Sequence, residues 1–315
     1  MVTIDLTTPP TPPTSFLDGM ARRLALTLPE LRVVAELAGG APLPFDLQQD
    51  SPTPGTGGLS GRLGQSRGSV EDSAYVDALG TLHDPEETLR RRGLLSESGA
   101  DAGLVGAVGL LATPRLALDF DVAVGSTQVK AWHRQDGGAV ASLSTCDGIV
   151  FELAWFPVGQ WTTELARVTA VPEDLPLASS RVPAVLDVPY ALADSIGEAL
   201  RSGRADLVPV LMGQDTGAVL VDGEEIGDAA AAAALSAVHS ESRGRLRILA
   251  AEVSDRATAS VGVVSWVLLK DGWHSLTPHH GDGARVAVTR VDPDDLATEL
   301  APVLAQVSLR PEVTT

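Results

Sequence analysis

The sequence predicts an α+β protein made of two pseudo-symmetric α+β halves that share a central antiparallel sheet flanked by helices. Three observations carry that reading. From Arg115 the hydrophobic period changes from 3.6 to 2: Leu116, Leu118, Phe120, Val122 and Val124 alternate with Ala117, Asp119, Asp121 and Ala123, as in a strand with one buried face. Strand-like runs follow at Gln128–Arg134, Ala139–Ser144 and Gly148–Trp155, separated by short turns with glycine and aspartate. Connections that short permit only an antiparallel meander. The order helix, four strands, helix then recurs. Shifted by 135 positions, Asp147-Gly148 falls on Asp282-Gly283 and Thr163–Val168 on Thr298–Val303, with seven identities in 22 positions.

The elements follow in order. Residues 1–15 are rich in Pro and Thr and read as a solvated tail. Leu28, Leu31, Val34 and Leu37 have helical spacing and lead into Gly39-Gly40. Residues 51–69 hold six glycines among Pro and Ser and read as a mobile surface loop, set at about 50–70. Asp84-Pro85-Glu86-Glu87 opens a helix with an N-cap, Pro at N1 and acids in the first turn. Gly103–Ala112 is a second, glycine-bearing helix before the meander, and Pro157 opens a short helix through Trp161 and Leu165. In the second half, a helix from Pro189 is followed by Asp206–Met212, Gly217–Val221 and an alanine-rich helix, Asp228–His239. Strands are expected at Arg245–Val253, Ala259–Lys270, Trp273–Thr277 and Ala284–Val291. The closing helix is expected to be capped by Asp292, with Pro293 at N1, and to kink at Pro302. This organisation makes one domain over 16–308, with halves at about 16–180 and 181–308 and a tail at 309–315.

Composition restricts the function classes. The 315 residues carry 23 Lys+Arg against 41 Asp+Glu, a net charge of −18, and 44 % apolar residues. Such a chain folds, but it is repelled by nucleic-acid backbones and anionic membranes. Cys146 is the only cysteine, which excludes an intrachain disulfide and a thiolate metal site. Met1–Thr14 lacks both the basic and the apolar parts of a signal peptide, and no apolar run reaches a membrane span. The expected location is cytoplasmic.

Searches for catalytic chemistry find little. His274, His279 and His280, with Asp282, form the one histidine cluster, expected on a turn that supplies neither rigidity nor outer support for a metal. There is no Gly-x-Ser-x-Gly elbow and no Ser-x-x-Lys. The glycine-rich segment lacks the Lys-Ser/Thr pair of a phosphate loop. Asp119 and Asp121 share one strand face, the ordinary solvated side of an amphipathic strand. Cys146 sits beside the acid Asp147 rather than beside a basic residue that would activate a nucleophile. No catalytic residue, cofactor or metal ligand is therefore expected, and the protein is read as a non-enzyme. The tryptophans, 132, 155, 161, 266 and 273, are core candidates, with one or two possible binding anchors.

The segment Ser265-Trp266-Val267-Leu268-Leu269-Lys270-Asp271-Gly272-Trp273-His274-Ser275-Leu276-Thr277-Pro278, with the final helix after it, resembles the closing segment of the EspG family. These are cytosolic chaperones associated with ESX (type VII) secretion. Leu89-Arg90-Arg91-Arg92-Gly93-Leu94-Leu95 is similar to the step before that family's first apolar helix, and Leu28–Leu37 followed by Leu43-Pro44 is similar to its opening. The resemblance covers about residues 25–308. It implies a pseudo-twofold fold and a chaperone that holds the helical tip of a secretion substrate of PE/PPE type, with no catalytic group. Tyr190-x-x-x-Asp194 matches the spacing of a type VII export signal but lies mid-chain, so it is read as coincidence. The alanine-rich helix, thin enough for close helix approach, and its apolar neighbours supply candidate partner contacts: Leu207, Val210, Leu211, Ala231, Ala234 and Leu235. Internal packing of that helix is the competing reading. The competing functions are a metal-assisted hydrolase built from scattered His and Asp residues, and an unrelated protein-binding regulator.

Overall fold

The computed structural model describes residues 21–45, 83–214, 218–254, 257–281 and 283–309. The expected 1–15 tail, the 50–70 loop, Asp282 and residues 310–315 lie outside the described residues.

The first half runs β1 (Arg22–Thr27), α1 (Leu28–Leu37), α2 (Pro85–Arg91), β2 (Leu95–Ser96), β3 (Gly99–Ala100), α3 (Ala102–Ala112), β4 (Leu116–Val124), β5 (Thr127–Asp136), β6 (Ala139–Thr145), β7 (Val150–Pro157) and α4 (Trp161–Val168). The second half repeats that order as β8 (Val185–Pro189), α5 (Tyr190–Arg201), α6 (Val208–Met212), β9 (Leu220–Val221), β10 (Glu224–Glu225), α7 (Asp228–Glu241), β11 (Gly244–Ser254), β12 (Ala257–Leu269), β13 (Gly272–Gly281), β14 (Gly283–Val291) and α8 (Asp295–Leu309).

Helix starts follow the local chemistry. Thr27 and Glu30 form a capping box at α1, Asp84 accepts the Glu86 and Glu87 amides at α2, and Asp101 accepts the Leu104 amide at α3. The last helix spans Asp295–Leu309 with Pro302 inside it, and just ahead of it the Asp292 amide donates to Asp295 Oδ2 at 2.8 Å, the bond that closes one arm of a capping box around Asp292. One expectation is corrected. Strand β13 extends through His279 and His280, so these histidines sit on a paired strand rather than on a turn.

Twelve strands form one antiparallel sheet in the order β1-β7-β6-β5-β4-β11-β12-β13-β14-β8-β9-β10. The halves meet where β4 pairs with β11, from Leu116↔Glu252 to Val124↔Gly244. The strand registers locate a local twofold axis at this seam. Superposing the two-residue turns after β5 and β12 places His133 on Trp266. Their neighbours on the preceding strands, Leu118 and Leu246, then coincide. In that register Phe120 falls on Ile248, which is also its own partner across the seam. The axis therefore passes beside the Phe120–Ile248 pair.

Side chains alternate across a sheet, and the two faces are covered differently. On one face, α4 and α8 lie over the middle of the sheet. Trp161, Leu165, Leu296 and Leu300 there join Leu118, Phe120, Leu246, Ile248, Val264 and Trp266 in one core shared by both halves. On the other face the helices sit at the flanks. The α1–α3 bundle covers Trp132, Ala141, Leu143, Phe151 and Leu153, and the α5–α7 bundle covers Leu186, Val188, Leu269 and Val288.

Candidate partner-binding face

Between the two flanking bundles, no described element covers the middle of the sheet on one face. The same strands that bury Phe120 and Ile248 (3 % and 0 % exposed) turn Leu249 (43 %) and Val263 (53 %) to solvent on the other side. The strand registers order this bare surface into cross-strand rows. One row reads Lys130, Asp121, Arg247, Ser265, and the next reads Trp132, Asp119, Leu249, Val263. All of these but Ser265 line a shallow depression of about 340 Å³. Nonpolar surface left in water costs about 25 cal/mol per Å², so an apolar pair at the centre of a sheet favours being covered.

The charges here are partly committed. Arg134, buried beneath the surface, pairs with Asp119 at 2.7 Å. Asp121 accepts from Gln128 Nε2 at 2.8 Å and faces Arg245 at 3.6 Å. Arg247 and Lys130 are exposed and make no ion pair among the described residues. The lining carries two acids and two bases, and with Arg134 and Arg245 beside the acids the balance around the depression is positive, in a chain whose overall charge is −18.

Beneath this surface the scaffold is tied by two indole hydrogen bonds. In the first half, helix α4 donates: Trp161 Nε1–H to His133 Nδ1 on β5, at 2.9 Å. In the second half the strand donates: Trp266 Nε1–H on β12 to Glu299 of α8, at 2.7 Å. Burial, aided by the Arg134 and Arg23 charges, lowers the His133 pKa from 6.5 to about 3, so the ring stays neutral and keeps its acceptor. No tryptophan serves as an exposed anchor: Trp132, Trp161, Trp266 and Trp273 are buried and Trp155 is half-buried.

The segment linking the halves is pinned rather than loose. Buried Glu241, at the end of α7, accepts from Ser180 Oγ and Arg181 Nε, both at 2.8 Å. The Ala178 amide donates to the Lys270 carbonyl at 2.8 Å, and Arg243 donates to the Pro176 carbonyl at 2.7 Å.

Of the six residues expected to meet a partner, Ala231, Ala234 and Leu235 are buried with Leu192, Ile196 and Met212 in the second-half core. Small side chains on α7 let it nest against α5 and α6, so these three side chains are used internally and present no surface. Val210 is 61 % exposed, and Leu207 and Leu211 are half-buried. Sequence reasoning missed Lys130, Arg247, Leu249 and Val263. The available signal was Leu249 standing where the alternation of β11 calls for a polar residue, next to a β12 that is apolar on both faces.

The histidines do not converge. His274 is buried and contacts Asp271 at 3.0 Å, whereas His279, at the other end of β13, contacts Asp187 at 3.0 Å. Asp119 and Asp121 each have cationic neighbours, and Cys146 is exposed in a turn. Among the described residues, no group of three or more His, Cys, Asp or Glu is placed to hold a metal, and no helix is long and apolar enough to cross a membrane.

No protein-family profile and no curated protein sequence matches the chain. Among solved structures, it is similar to the type VII secretion system chaperone EspG5 of Mycobacterium tuberculosis, determined in complex with a PE25–PPE41 dimer. The TM-score is 0.55 at 13 % identity, over 91 % of this chain and 95 % of that one. The chain therefore has an EspG-like α+β fold.

Proposed function

We propose that this protein is a cytosolic chaperone of a type VII (ESX) secretion system, and that it covers the helical tip of a PE/PPE-like substrate, keeping it soluble until export. One observation carries this reading: in an EspG-like fold, the centre of the sheet is left bare between two helical bundles, with Leu249 and Val263 turned to solvent. A helix end docked between the bundles would bring apolar side chains to those two. The fold likeness to a chaperone determined with a PE–PPE dimer supports the same class of partner. Val210, with Leu207 and Leu211, is proposed as a second contact on the α5–α7 bundle.

The test is co-expression with a PE/PPE-like pair encoded near its gene. The pair should remain soluble and co-elute with the wild-type chaperone, and it should aggregate with the Leu249→Asp variant. Co-elution unaffected by Leu249→Asp would remove the sheet face from the mechanism. A pair that is equally soluble alone would remove the chaperone role.

A further inference from the structure

The local twofold axis allows each residue of the bare face to be compared with its equivalent in the other half. An undiverged duplication would place identical side chains on the two sides of the axis and offer two equivalent half-sites. Instead, Asp119 is equivalent to Arg247, Asp121 to Leu249, and Lys130 to Val263. Base replaces acid at the first of these positions, and hydrocarbon replaces charge at the other two. The exposed apolar pair, Leu249 and Val263, lies wholly on the second-half side. Both acids are already engaged, by Arg134 and by Gln128 with Arg245. Arg247 and Lys130, on either side of Asp121 in the cross-strand row, carry the positive charge left over.

We infer that the face takes one partner per chain in a single orientation, and that it recognises an apolar tip flanked by carboxylates: the apolar side chains cover Leu249 and Val263 while a carboxylate meets Arg247 and Lys130. This rests on the docking proposed above and adds its charge rule. Charge-assisted pairing at the edge of an apolar contact fixes orientation and discriminates partners more than it adds raw affinity.

The test uses three disulfide-stapled helical hairpin peptides whose tips present two leucines flanked by Glu, Gln or Lys. They are titrated calorimetrically into the full chain. The Glu tip should bind with one peptide per chain and at least about tenfold more tightly than the Gln tip at low salt, and the Lys tip most weakly. Raising the salt should shrink the Glu advantage, and the double variant Lys130→Gln/Arg247→Gln should abolish it, bringing the Glu and Gln tips to equal affinity. Equal affinities for the three tips, still lost on Leu249→Asp, would overturn the charge rule and leave the docking in place. Two peptides per chain would overturn the single orientation. If no tip bound at all, both readings would fall.

Discussion

The two halves of this protein carry the same elements in the same order, yet they treat their helices differently. In the first half, α3 lies directly on β5, β6 and β7, and Gly103 eases that approach: a Cβ there would stand 3.3 Å from the Trp155 ring. In the second half, the equivalent α7 is built from alanines and rests on α5 and α6. The short hairpin also differs. β2–β3 forms a separate ribbon, whereas β9–β10 extends the main sheet through β8. Both halves fasten their last helix to the second strand of the meander with an indole N–H, but donor and acceptor change places. The lesson is that the buried arrangement is held by geometry that tolerates exchange of partners, while the exposed centre has diverged position by position. Function is expected where equivalence breaks down without any need from packing.

The seam offers the sharpest contrast. Leu116 and Gly244 are equivalent, and Leu116 buries its side chain, yet a Cβ on Gly244 would stand 2.4 Å from the Ala123 carbonyl oxygen. Gly244→Val should therefore cost upwards of about 3 kcal/mol, because backbone must move and the seam is shared by both halves. Leu116→Val should cost about 1 kcal/mol. Denaturant unfolding of the two variants checks this, and equal midpoints would mean the seam is not close-packed.

Next in size is the pair Asp121 and Leu249. Leu249→Asp should weaken partner binding by about a hundredfold or more, since it places a charge in the apolar contact. Asp121→Asn should change it by less than about threefold. Neither variant should unfold the chain, which a thermal melt will verify.

The indole bonds separate the halves by pH. The unfolded chain protonates His133 near its ordinary value of 6.5, whereas the folded chain holds it neutral down to about 3. Stability is thus complete above 6.5 and falls as the pH drops through that window, by about 2 kcal/mol at roughly pH 5 from this group. His133→Gln, which keeps an acceptor for Trp161, should flatten that part of the pH profile; an unchanged slope would assign it elsewhere. Trp161→Phe leaves buried His133 without a donor and should cost about 1–3 kcal/mol. Trp266→Phe leaves only half-buried Glu299, which water can re-solvate, so its hydrogen-bond loss should be smaller. The smallest effect belongs to Val210→Glu, which should leave stability unchanged and reduce binding by a few fold if the second bundle takes part.

Much of the scaffold was legible because it rests on local periodicity. The β4–β7 meander, its later repeat, the helical spacing of α1 and the capped start of α2 all follow from periodicity, turn residues and a cap. What was hidden depends on which elements become neighbours. Nothing in Asp228–Glu241 distinguishes an alanine face that meets α5 and α6 from one that meets a partner, because small side chains serve both. His279 was misplaced because the end of β13, with Pro278, His279 and His280 in a row, lacks β propensity and is held by pairing with β14. The bare centre of the sheet left only one trace, Leu249 at a polar position of β11: whether Arg247 and Leu249 face helices or water is decided by where the flanking bundles end, which local pattern does not encode.

The role of this bare centre can be settled with a photo-reactive benzoylphenylalanine placed singly at Leu249, Val263, Leu37 or Tyr190, all exposed in the free chain. Irradiated in a soluble complex with a PE/PPE-like pair, the probes at Leu249 and Val263 should form adducts with the pair, and those at Leu37 and Tyr190 should not. Adducts from Leu37 or Tyr190 with none from Leu249 and Val263 would place the partner elsewhere and contradict the docking face proposed for this fold.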